Sequence, residues 1–111
     1  WQTDAPLAIS YTSAWFLTDA ATGAVVVHGS GGQDRPPDAG FAPTNTWQAG
    51  VPVWDNRALR LPPDIAAGEY LLWVALYQVV DGEIRHLAIT SGTSALDGTT
   101  GVLPTRIKVS H

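Results

Sequence analysis

The sequence predicts an all-β domain, and three features predict it. Eleven glycines and eight prolines in 111 residues break the chain too often for long helices. Several short runs alternate apolar and polar residues with the period of a half-buried strand. Turn signals rich in Gly, Pro and Asp separate those runs at residues 19–23, 62–68 and 81–82.

The first strand is expected over residues 8–17, with Ile9, Tyr11, Ser13, Trp15 and Leu17 on the more buried face. Asp19 to Gly23 then reads as a turn, with Gly23 suited to a positive φ, and Val25 to Val27 returns as a hairpin. Residues 29–52 lose periodicity and carry four prolines, which cannot donate to a sheet ladder. A loop of that length is expected to be functional or to cross between sheets, with Phe41 and Trp47 pinned to the body. Residues 53–61 form the next expected strand. Residues 69–80 are the strongest one. Tyr70, Leu72, Val74 and Leu76 point one way and Leu71, Trp73, Ala75 and Tyr77 the other, so both faces are apolar and the strand is central. Asp81-Gly82 marks a tight hairpin into residues 83–89. Residues 90–101 read as a Ser/Thr/Gly loop, and 105–109 as the closing strand. That makes about six strands in a single domain over residues 1–111.

Composition excludes several classes of function. Six basic residues against ten acidic ones, a net charge of −4, provide no basic stripe for nucleic acid. No apolar run approaches the ~20 residues of a membrane span. With no cysteine there is neither a disulfide framework nor a thiolate metal site. His28, His86 and His111 are too isolated in sequence for a transition-metal site. Asp34, Asp38 and Asp55 flank the long loop without EF-hand spacing and read as solvated or turn-capping carboxylates before they read as calcium ligands. No serine lies in a Gly-x-Ser-x-Gly context. Both glutamates, Glu69 and Glu83, sit beside turns instead of facing each other as a glycosidase pair would. Neither catalysis nor a cofactor is expected of this domain.

Five tryptophans in 111 residues leave one binding chemistry open. Indole faces stack on the apolar faces of sugar rings, and amide or carboxylate side chains bond the hydroxyls. Trp47 and Trp54 are the candidate platform, with Asn45, Gln48, Asp55 and Asn56 as polar partners. Against this, Trp15 and Trp73 read as packing residues, and Trp47 also reads as a loop anchor. A second option is docking of the apolar face of Leu71, Trp73, Ala75 and Tyr77 on another domain or copy.

The corner from Pro62 to Gly68, followed by Tyr70 at a strand start, resembles the tyrosine corner of immunoglobulin-like sandwiches. There the phenol bonds back to upstream backbone. The expected architecture is therefore an immunoglobulin-like antiparallel β-sandwich. It would want about seven strands, which puts the missing one before Trp1 in a longer chain.

A wider resemblance rests on Gln33-x-x-x-Pro37, Pro43-Thr44-x-x-Trp47-x-x-Gly50, Asp55, Leu59, Leu61, Pro63 and Gly68-x-Tyr70-x-Leu72-x-Val74-x-Leu76-Tyr77. These positions, within residues 8–109, resemble the C-terminal extracytoplasmic β-sandwich region of bacterial membrane glycosyltransferases of the dolichyl-phosphate-mannose–protein mannosyltransferase type. The departures are Val51-Pro52, where an acidic residue commonly follows the glycine, and Arg85-His86-Leu87, where an Arg-Leu pair commonly ends the hairpin. The resemblance implies a non-catalytic accessory domain on the periplasmic or cell-surface side of a membrane protein. Its implied partners are the membrane part of the parent chain or another copy of the domain. Glycan is the further candidate ligand.

Overall fold

The computed structural model describes residues 1–28, 37–40, 42–55, 61–90 and 92–110. Within them the chain is all-β. Strands β1 (Thr12–Asp19), β2 (Val25–His28), β3 (Gly68–Val80), β4 (Glu83–His86), β5 (Ser94–Ala95) and β6 (Thr100–Val109) form one antiparallel sheet in the order β2-β1-β3-β6-β5. β4 pairs with the far end of β3 on the β6 side, because Tyr77 is flanked by Thr12 on one edge and His86 on the other. Short 3-10 turns at Pro37–Gly40 and Thr44–Thr46 are the helical elements among the described residues. The arrangement is sandwich-like: one face of the sheet is overlaid by residues 1–7, 44–55, 87–90 and 92–93, a layer of loops.

β3 is central, as its two apolar faces require. Leu76, Val74 and Tyr70 are buried on one side and Ala75 on the other. β1 is interior as well, so it is buried on both faces. Ser13 and Leu17 lie on one face and Ala14 and Thr18 on the other, all nearly inaccessible. The sequence expectation of one more buried face over residues 8–17 is corrected on both counts. The strand starts at Thr12, and Ile9 is 42% exposed, its carbonyl taken by the Thr44 hydroxyl. Fully burying Leu17 and Leu76 contributes about 2 kcal/mol each.

Three turns behave as their residues dictate. Asp19 accepts from the amides of Ala21 and Thr22 through Oδ1, and Gly23 closes the turn at φ +74°. Asp81 and Gly82, at φ +51° and +80°, form the two-residue hairpin whose twist matches its strands. The Tyr70 hydroxyl bonds the Ala66 carbonyl at 2.6 Å, which is the corner expected from Pro62 to Gly68.

Three elements differ from expectation. Residues 53–55 and 61 are not strand, and 56–60 lie outside the described residues. Val53 instead exchanges two backbone hydrogen bonds with Trp1. Ser94–Ala95 is a strand inside the segment read as a loop. β6 begins at Thr100, five residues earlier than expected, and absorbs Pro104 at a register shift opposite Leu71 and Trp73, where no ladder amide is needed. The outermost strands are short, β2 spanning four residues and β5 two.

The face of Leu71, Trp73, Ala75 and Tyr77 is not a bare docking surface. Ala75 is fully buried and the Trp73 indole nitrogen is inaccessible, with the ring lying against the Gly23 turn.

Candidate functional site

The opposite face carries a cleft of about 1060 Å³. Its floor is the sheet. Trp15 of β1 pairs with Val74 of β3, and Val74 pairs with Gly101 of β6, so three strands meet there in one row. Gly101 packs closely here: a Cβ at that position would lie 3.3 Å from the Val74 methyl, a tight contact. Leu76 continues the floor.

One wall is built by residues 1–7 and 44–55, and hydrogen bonds fix it to the sheet. The Trp1 nitrogen donates to the Val53 carbonyl and the Val53 amide donates back to Trp1, while the Gly50 amide donates to Thr3. The Thr44 hydroxyl, fully buried, accepts from the Tyr11 amide at 2.8 Å and donates to the Ile9 carbonyl at 2.6 Å. Asp55 completes the anchorage, its Oδ2 accepting from Ser13 Oγ at 3.0 Å and from the Trp1 indole at 3.2 Å. The other wall, residues 87–90 and 92–93, is held by the Leu87 amide on the Leu76 carbonyl and the Ile89 amide on the Gly98 carbonyl. A cleft pinned on both sides is largely formed before any ligand arrives.

Four of the five tryptophans line it: Trp1, Trp15, Trp47 and Trp54. Trp73 lies on the other face of the sheet, paired with Phe16. Trp54 is 81% exposed and Trp47 only 6%, its indole nitrogen bonded to the Ala42 carbonyl at 2.9 Å. Trp47 is thus the loop anchor and contributes a wall. The open ring face belongs to Trp54. Asp55 lines the cleft beside it. Asn45 and Gln48 are exposed but lie off the cleft lining, and Asn56 falls outside the described residues.

Sequence reasoning missed Trp1, Trp15 and Asp4 as lining residues. Trp15 carried a readable signal, since strand alternation puts it on the face of Ser13 and Leu17. That this face is only partly roofed depends on long-range packing. The Trp15 indole nitrogen is buried with no acceptor among the described residues.

Among the described residues no cluster of three or more potential metal-ligating side chains occurs. Asp34 and the Asp38 side chain lie outside the description, and Asp55 is tied to Trp1 and Ser13. No described helix is long and apolar enough to cross a membrane.

No family model matches this chain, and no curated protein or solved structure matches it.

Proposed function

We propose that this domain is a non-catalytic saccharide-binding module, accessory to a membrane-associated glycosyltransferase and placed outside the cytoplasm. The observation that carries the binding role is Trp54, 81% exposed at a cleft that three further tryptophans line. Leaving an indole in water forgoes a large hydrophobic gain, and exposed aromatics beside a concave surface mark ligand sites. The polar groups interleaved with them, Thr3, Asp4, Asp55, Thr90 and Thr93, suit a hydroxyl-rich ligand better than a purely apolar one. Asp55 serves as a doubly bonded wall anchor, a role that needs no proton transfer. The glycosyltransferase context and the extracytoplasmic placement rest on the sequence resemblance.

Calorimetric titration of oligosaccharides into the wild type and Trp54→Ala tests the binding role. The expected result is weak, saturable binding that Trp54→Ala reduces about five- to thirtyfold, since covering one exposed aromatic face is worth roughly 1–2 kcal/mol. Equal binding by both proteins, or none by either, removes the reading.

A second reading, contact with the parent chain or another copy, is favoured by the outer edge of β6. β5 pairs Thr100 and Gly101 and the Val102 amide bonds the Thr93 carbonyl, and beyond Val102 that edge has no strand partner among the described residues. Pro104, Arg106 and Lys108 restrict what can pair there. Light scattering on the isolated domain tests it: a concentration-dependent dimer abolished by Lys108→Pro, whose amide alternates with the Ile107 amide facing Tyr70 and so points to the outer edge, supports pairing there, and a monomer at all concentrations argues against self-pairing.

A further inference from the structure

We propose that the β3–β4 hairpin is a self-association surface, and that a second copy of the domain adds its own β4, antiparallel, to the outer edge of β4. The inference is independent of saccharide binding. It places contact with another copy on an edge other than that of β6. Three observations carry it.

The first is an open backbone edge. Among the described residues β4 pairs only with β3, and all four of its residues are exposed. In an antiparallel ladder alternate residues turn their amide and carbonyl toward the partner strand, and the residues between them turn theirs away. Just past β4 the Leu87 amide bonds the Leu76 carbonyl, which fixes the alternation. Glu83 and Arg85 therefore bond toward β3, opposite Val80 and Gln78, while Ile84 and His86 present their backbone groups outward. A two-fold axis at Ile84, normal to the sheet, lets the two copies of this residue exchange both backbone hydrogen bonds.

The second is charge complementarity. Centred on Ile84, the pairing sets Glu83 of each copy opposite Arg85 of the other. These fall at the non-hydrogen-bonded positions, where side chains come closest. Neither residue has an ion-pair partner among the described residues, where Arg106 bonds Glu69 instead. A slip of the centre by one residue in either direction sets Arg85 opposite Arg85 or Glu83 opposite Glu83, and like charges directly opposite are destabilising. Charges on an edge strand ordinarily discourage pairing. Here two opposite charges flanking Ile84 favour a single register. On the outer edge of β6 the corresponding residues, Arg106 and Lys108, are both basic, and a second copy would meet like charge there.

The third is an apolar pair left in water. Val79 and Ile84 are directly opposite each other in the hairpin, and each is 62% exposed. The two-fold pairing brings Ile84 beside its counterpart on the same face. A row of four aliphatic side chains results, Val79 and Ile84 from each copy, on the face away from Glu83 and Arg85. Backbone bonds, charges and apolar contacts thus all select the same register. The overlap is only four residues long, so the interface stays well below the ~1,200 Å² of a stable complex and the dimer is weak.

Sedimentation equilibrium of the whole chain, from ~10 μM to ~1 mM, covers the range of weak association. The wild type is expected to show a monomer–dimer equilibrium. Glu83→Arg and Arg85→Glu each set like charges at both cross-strand positions, and each should weaken the dimer about tenfold or more. Mixed in equal amounts, the two variants regain opposite charges at both positions, so a heterodimer should form with about the wild-type affinity. That recovery separates lost pairing from a folding defect. Lys108→Pro should leave the dimer intact. A wild type that stays monomeric throughout, single variants that dimerise as the wild type does, a mixture that does not recover, or a dimer lost with Lys108→Pro would overturn pairing at β4. None of these results bears on saccharide binding, which the glycan titration reads separately.

Discussion

The Tyr70 hydroxyl donates a 2.6 Å hydrogen bond to the carbonyl of Ala66, four residues upstream. Tyr70 itself is 4% exposed and pairs with Asp19 of β1 and Ile107 of β6. That single bond ties the 62–68 corner to the middle of the sheet. It closes the corner at the start of β3, the strand that carries Val74 opposite Trp15 on the cleft floor.

Tyr70→Phe keeps the ring and loses the bond. The variant should be destabilised by about 1 kcal/mol, since the exposed Ala66 carbonyl can turn to water. Urea denaturation should show a lower midpoint at an unchanged slope. An unchanged midpoint would mean the bond does not hold the corner.

Thr44→Val tests the anchor between the 44–55 loop and the chain leading into β1. It removes an acceptor for the Tyr11 amide and a donor to the Ile9 carbonyl in one step. Loss of the two partners around a fully buried side chain should cost about 2–3 kcal/mol. Thr44→Ser, which keeps the hydroxyl, should cost about 1 kcal/mol, the value of a buried methyl. Equal losses in the two variants would assign the effect to packing alone.

Gly23→Ala places a side chain at φ +74°, with its Cβ 3.6 Å from the Trp73 ring. The contact distance is ordinary, so the cost comes from the backbone and should be about 1 kcal/mol. A stability gain, as expected where alanine fits without strain, would show that the turn relaxes out of the left-handed region.

Asp19 provides the pH-dependent element. Hydrogen bonds from the amides of Thr22 and Ala21 to its carboxylate hold its pKa below the ordinary 3.8. The folded value is depressed, so the stabilisation is present above the unfolded value and is lost as pH falls through the folded one. The stability difference between the wild type and Asp19→Ala should therefore be constant near neutral pH and shrink below about pH 4. A difference that stays constant into acid would place the effect in turn geometry alone.

Much of this fold was legible because its signals are local. The two apolar faces of residues 69–80, the Asp81-Gly82 hairpin and the Pro62–Tyr70 corner each sit within a dozen residues, and each formed. Partners that are distant in sequence were not legible. Val53 has strand-like neighbours, yet its backbone bonds Trp1 and no ladder forms. A proline such as Pro104 is disfavoured inside a strand, and only the register shift against β3 shows where it fits. The candidate site was half legible for the same reason. Composition drew attention to tryptophan, and Trp54 and Asp55 do line the cleft. Trp15, assigned to packing by its strand face, is on the cleft floor because the layer over that face leaves a gap.

The positions of the five indoles allow the central claim to be read directly. In a heteronuclear NMR titration with oligosaccharides, the Trp54 indole N–H should move most. Those of Trp1, Trp15 and Trp47 should move with it, while Trp73, on the opposite face of the sheet, should stay in place. No indole moving at millimolar glycan, or Trp73 moving as far as the cleft tryptophans, would contradict saccharide binding in this cleft.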